Sequence, residues 1–138
     1  ERGKNDAEEM AKRLVKQNIL IDQFVSSPAV RALSTAEIFV RIYNRKPDEI
    51  RLISELYQAS SRQMEDVVSG LDDQYDRVAV FAHNPGISDY ASSLDSSRLL
   101  HMPTCAIFAV TTVVQSWQDF PLAEKTFLFF DSPKTVRS

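Results

Sequence analysis

Residues 77–82, Arg-Val-Ala-Val-Phe-Ala, form an apolar run that stops abruptly at His83-Asn84-Pro85-Gly86. A short strand without polar alternation is stable only where both of its faces are covered. Helices packed on the two sides of a sheet provide that cover, so this one segment directs the chain toward an α/β fold.

The rest of the chain supplies the helices and companion strands. Ala7, Met10, Ala11, Leu14 and Val15 recur at three-and-four spacing, which predicts a helix over about 4–17. Ile19 to Val25 reads as a short buried strand. Ser26-Ser27-Pro28 then combines a capping hydroxyl with a residue favoured in a first helical turn. The second helix runs to about Tyr43, with Ala32, Thr35, Ala36, Phe39, Val40 and Tyr43 on one stripe. Ile50 to Ile53 is a short strand, followed by a loop at Glu55-Leu56-Tyr57 and a third helix over about 61–71 that stops near Gly70. After Gly86 a short helix carries Ile87, Tyr90, Ala91 and Leu94, and Ser92 to Ser97 reads as a polar connection. Thr104 to Val114, with Cys105 as a small strand or core residue, and Thr126 to Phe130 follow each other without a helix, so that pair is antiparallel. The expected fold is a three-layer α/β/α sandwich with a mostly parallel sheet, one domain over 1–138.

Composition narrows the function classes. With 43% hydrophobic and 25% charged residues, the chain can build its own core without staples. A single cysteine, Cys105, rules out an intramolecular disulfide and a cysteine-rich zinc site, and suits a reducing, cytoplasmic setting. The net charge of −3 and the lack of a basic run leave no electrostatic footprint for nucleic acid. No apolar stretch approaches the roughly 20 residues that span a bilayer. The chain opens at Glu1 without an initiator methionine and reads as cut into.

Two strand ends carry the chemistry. Val25 runs into Ser26-Ser27-Pro28-Ala29-Val30-Arg31, and Phe81 into Ala82-His83-Asn84-Pro85-Gly86. Open α/β sheets bind ligands beyond the carboxyl ends of their strands, and the free amides of the helices that follow favour anions. Arg31 falls in the first part of its helix, where a planar fork of donors can take two oxygens of one phosphate. Alone, Arg31 also fits a solvated surface charge, His83 a structural histidine and Asn84-Pro85-Gly86 a plain turn. Their combination is the informative feature.

That combination resembles the histidine phosphatase superfamily, which has the phosphoglycerate mutase-like fold. Ser26 to Ala32, with Thr35-Ala36, is similar to the family's second signature. His83-Asn84-Pro85-Gly86 resembles its Gly-His-Asn-Pro-Gly segment, with Ala82 where the family has glycine. Glu1-Arg2-Gly3 looks like a helix-opening Glu-Arg-Gly segment. Glu55-Leu56-Tyr57, Met102-Pro103-Thr104-Cys105-Ala106 and the late Pro133-Lys134 are similar to the SixA-type phosphohistidine phosphatase branch.

The resemblance implies a phosphatase, without cofactor or metal, that passes a phosphoryl group through a phosphohistidine intermediate. It implies Arg31 and His83 as catalytic, phosphate-binding residues, Ser27 and Asn84 as further phosphate-binding residues, and Glu55 as general acid. The partner is a phosphohistidine-bearing protein or a small phosphorylated substrate, and the enzyme is a monomer or weak dimer. A phosphatase of small phosphate esters, a mutase and a phosphate-binding pseudoenzyme are the rivals. The family's nucleophile lies in an Arg-His-Gly or Arg-His-Ala segment that ends an interior strand. Only His83 and His101 occur here, and neither follows an arginine. The 138 residues alone are therefore expected to be inactive and N-terminally incomplete. The strands on either side of the absent one should then stand about twice the 4.8 Å sheet spacing apart.

Overall fold

The computed structural model describes residues 2–95 and 100–134. In chain order these form helix α1 (Arg2–Lys16), strand β1 (Gln23–Ser26), helix α2 (Val30–Ile42), strand β2 (Ile50–Leu52), helix α3 (Ser61–Ser69), strand β3 (Val78–Phe81), helix α4 (Gly86–Leu94), and strands β4 (Ile107–Thr112) and β5 (Lys125–Asp131). Single 3₁₀ turns at Pro47–Glu49 and Ser54–Leu56 and a longer 3₁₀ segment at Trp117–Leu122 fill three of the connections. Glu1, from the helix-opening motif, and Ser96-Ser97, from the polar connection, lie outside the described residues.

Strands β2, β1 and β3 pair in that order, all parallel, with β1 at the centre. Alternation along them separates two cores. Phe24 faces Ala7, Met10, Ala11 and Leu14 of α1 and Phe39 and Val40 of α2. Val25 faces Met64 and Val68 of α3 and Tyr90 of α4. Helices thus cover both faces, and the three-layer α/β/α arrangement is present. The expected antiparallel end is present too, as a separate two-stranded sheet of β4 and β5.

Several boundaries differ from the sequence reading, each for a physical reason. The segment 19–22 is not strand, because its backbone is engaged elsewhere. The Arg45 guanidinium donates to the carbonyls of Ile21 and Asp22, and the Asp22 carboxylate accepts from the amides of Asp76 and Arg77. Pairing therefore begins at Gln23. Val15, assigned to the buried stripe of α1, is 42% exposed. Ser92 to Leu94 continue α4 instead of forming a connection. Cys105 stands in a left-handed turn at φ 64°, closed by the Ala106 amide on the Pro103 carbonyl, so β4 starts only at Ile107. Finally, β3 is half-buried along its whole length, whereas its sequence predicts full burial. It is the last strand of its sheet, paired on one edge alone.

Candidate active site

The register of the parallel sheet sets the site. Ser26, the last residue of β1, stands opposite Phe81, the last residue of β3. The two loops that leave these strands therefore start side by side, about 4.8 Å apart. The Ser27 amide donates to the Phe81 carbonyl at 2.9 Å and ties the loops together at their roots.

From Ser27 the chain turns tightly into α2. Ser26 and Ser27 are fully buried. The Ser26 hydroxyl donates to the Ser27 carbonyl, and the Ser27 hydroxyl accepts from the Ala29 amide at 3.1 Å. The hydroxyl thus closes a turn before the helix. The residue at the cap position is Ala29, which has no side-chain cap. Arg31 follows as the second residue of α2, exposed and facing solvent from the first turn. Its guanidinium makes no ion pair or hydrogen bond among the described residues, whereas those of Arg13, Arg41 and Arg45 all do.

After β3, His83 is half-buried, with its ring edge-on to Tyr57 at 6.4 Å between centroids. Asn84 joins Pro85 through a cis peptide, and Gly86 opens α4. A Cβ on Gly86 would lie 1.9 Å from the Ala59 carbonyl oxygen, so the entry of α4 tolerates only glycine. The Asn84 side chain is engaged on both sides. Its amide nitrogen donates to the Met102 carbonyl at 2.8 Å, and its oxygen accepts from the Ser88 hydroxyl, which in turn accepts from the Met102 amide. Asn84 and Ser88 together hold the 102–106 segment against the site.

Arg31, His83, Asn84 and Tyr57, which follow or approach the carboxyl ends of the parallel strands, are among the residues lining a cavity of about 1470 Å³ that also runs the length of β3 and β4. Ser27 and Glu55 are not among its lining residues. Ser27 is spent on the turn. Glu55 sits exposed on the Ser54–Leu56 turn, where its carboxylate accepts from the Ser54 hydroxyl at 3.2 Å. Tyr57, whose ring meets His83, is one lining residue that sequence reasoning missed as a site residue. Its only signal was its place two residues after Glu55. His101 is exposed, and among the described residues no three His, Cys, Asp or Glu side chains are placed to hold a metal. No helix of the described residues is long and apolar enough to cross a membrane.

The two loops thus leave the carboxyl ends of adjacent parallel strands, the place where open α/β sheets bind ligands. Among solved structures, the chain shares the fold of the SixA-type histidine phosphatases. It matches the protein histidine phosphatase SixA complexed with tungstate at a TM-score of 0.79 and 23% identity, covering 96% of this chain and 81% of that one. A putative SixA from Agrobacterium tumefaciens matches at 0.78 and 19% identity, again covering 96% and 81%. One from Nakamurella multipartitia matches at 0.77 and 18% identity, covering 96% and 82%. No protein-family model matches the chain, and no curated protein does.

Proposed function

We propose that this protein is a cytoplasmic, metal-independent phosphatase that works through a phosphohistidine intermediate and removes phosphoryl groups from phosphohistidine in proteins. The observation that carries this reading is the convergence of an uncommitted guanidinium, Arg31, and an imidazole, His83, on one cavity beyond adjacent parallel strands. The similar SixA structure holds tungstate, a tetrahedral oxyanion of the shape Arg31 is suited to grip. In the reaction, the phosphorus–nitrogen bond of the substrate breaks as one to an enzyme histidine forms, and water then cleaves the second bond. That histidine is neither His83 nor His101, and we assign it to a preceding segment. Arg31 binds the equatorial oxygens, while His83 donates to the phosphoryl group as charge spreads over it. Asn84 acts by positioning the 102–106 segment. Ser27 supports the turn that presents Arg31.

Turnover of a phosphohistidine protein and of a panel of small phosphate esters by the full-length protein tests the reading. Arg31→Ala and His83→Ala should each lower kcat/KM by about 10²-fold or more, the scale for losing one preorganised donor. Glu55 lies on the turn two residues before the lining Tyr57, and we propose it as the general acid, so Glu55→Gln should slow ester hydrolysis more than phosphohistidine hydrolysis, because the poorer leaving group needs the proton. Small, equal effects at all three positions would sink the mechanism. Faster turnover of an ester than of phosphohistidine would move the substrate class to small phosphates.

A further inference from the structure

Three loops meet at the site, and each brings one side chain to it. β1 is the central strand, so the loop after it, which carries Arg31, starts between the loops after β2 and β3. The Ile53 amide donates to the Ser26 carbonyl at 3.0 Å on one side, as the Ser27 amide does to the Phe81 carbonyl on the other. β2 and β3 do not pair, and they stand two strand spacings apart, about 9.6 Å. Yet the rings of Tyr57, from the loop after β2, and His83, from the loop after β3, lie only 6.4 Å apart between centroids, at 74° to each other. The two rings therefore reach toward each other over the end of β1.

The backbone holds Tyr57 in place and leaves its side chain open. Leu56 before it is fully buried, and Ala59 two residues later is buried with its carbonyl against Gly86. Gln58 between them takes a left-handed φ of 52°, which turns the chain back inward. The amides of Leu56, Tyr57 and Ala59 donate to the carbonyls of Ile53, Ser54 and Leu56. The loop is thus pinned on both sides of Tyr57, while Tyr57 itself is 53% exposed on the cavity. Its hydroxyl makes no hydrogen bond among the described residues, whereas those of Tyr43 and Tyr90 donate to the Ile19 carbonyl and the Glu65 carboxylate. An aromatic face held open beside a polar pocket stays wet until a ligand covers it, and covering it is favourable.

We infer that Tyr57 is the specificity residue of this site: it packs against a flat ring bonded directly to the phosphoryl group, the imidazole of phosphohistidine. This role rests on the phosphatase reading above and sharpens its substrate class. His83 donates to a phosphoryl oxygen at about 2.8 Å, so the phosphorus stands beside the His83 ring. Tyr57 lies 6.4 Å from that ring. A ring carried on the phosphorus then falls within the roughly 4.5–7 Å at which aromatic rings attract one another. An imidazole is flat and fits the phenol edge-to-face or offset, and when protonated it gains a cation–π attraction as well. The side chain of phosphoserine ends in a single methylene and offers no such face. The contact forms no bond to Tyr57, and the phosphoryl transfer itself is unchanged.

Two stable phosphonates test the contact without turnover. Phenylphosphonate carries a flat ring on phosphorus, and methylphosphonate does not. Their affinities for the full-length protein are measured by calorimetry, in the parent, Tyr57→Ala and Tyr57→Phe. The parent should bind the phenyl compound about tenfold more tightly, the scale of one aromatic contact with its buried area. Tyr57→Ala should bring that ratio close to one, and Tyr57→Phe should keep it. Equal affinities in the parent, or a ratio that survives Tyr57→Ala, would overturn the inference and leave the phosphatase reading standing. Failure of both phosphonates to bind would instead remove the oxyanion site, and the role of Tyr57 with it. A second arm identifies the ring. Phosphoramidate has the same phosphorus–nitrogen bond and no ring, so the kcat/KM ratio of a phosphohistidine peptide to phosphoramidate should fall about tenfold in Tyr57→Ala. An unchanged ratio, with turnover of a phenyl ester reduced in its place, would make the ring a phenol and overturn the assignment to imidazole.

Discussion

Tyr43 shows how one residue can tie a loop, a helix and a pH dependence together. Its hydroxyl donates to the Ile19 carbonyl at 2.8 Å, and its ring packs edge-on against Phe24. Burial pushes its pKa from 10.0 up to about 12. The folded chain therefore holds this proton more tightly than the unfolded one. The stabilisation is fully present below pH 10 and is lost as pH rises through about 12. Stability of Tyr43→Phe, measured by denaturant melts between pH 9 and 12, should fall less steeply than that of the parent chain. A parallel decline would remove Tyr43 from the account. At the same scale, Cys105 has its thiol pKa raised by burial and by the nearby Asp6 carboxylate, so it is a poor nucleophile at neutral pH. That agrees with leaving it out of the catalytic set.

At the scale of elements, α4 is the piece whose placement the site depends on. It begins at Gly86 because the backbone of Ala59 passes too close for a side chain, and that contact fixes where the His83 loop ends. Gly86→Ala should cost about 1–3 kcal/mol or more, the range for forcing a methyl into packed surroundings. Gly70, at the carboxyl cap of α3, makes the comparison clean. A Cβ there would meet its nearest atom at 3.6 Å, and its φ of −98° suits any residue. Gly70→Ala should stay within about 0.5 kcal/mol of the parent in the same thermal or urea melt. Equal costs at the two glycines would refute the close-approach argument. Helix α3 is better specified locally, since Ser60 and Gln63 form a reciprocal capping box at its start.

At the scale of the molecule, the β4–β5 sheet is attached to the rest by few contacts, and one is ionic. Arg13 of α1 donates to the Asp131 carboxylate at 3.1 Å and to the Ser132 carbonyl at 3.0 Å, at the far end of the chain. The Asp131 side chain is only 2% exposed. Asp131 also accepts from the Ser132 amide at 2.9 Å, so removing the Arg13 guanidinium costs on the order of 1–3 kcal/mol, whereas replacing both partners by apolar groups is often neutral. Arg13→Met should therefore destabilise strongly, and Arg13→Met with Asp131→Leu should recover most of the loss. A double variant as weak as the single would mean that the pair does more than cancel its own burial.

Much of this was legible in the residues. The apolar run at 78–81 and the three-and-four stripes of α1 to α3 gave the three layers, and the two strand ends followed by helices put Arg31 and His83 just beyond the carboxyl ends of neighbouring strands. Those signals are local: periodicity reports which face is buried, and a strand end reports where a loop must leave. Other features depended on partners far along the chain. The start of β1 was decided by Arg45 and by the Asp22 contacts to Asp76 and Arg77, and the half-burial of β3 by its place at the edge of its sheet. The family resemblance of 26–32, 55–57 and 83–86 implied Ser27, Glu55 and Asn84 as site residues. Their hydrogen bonds put Ser27 in the turn, Asn84 on Met102 and Ser88, and Glu55 on an exposed 3₁₀ turn. A sequence states which side chains could bind, but which of them remain uncommitted is settled only when the whole chain has packed and every nearer partner has been taken.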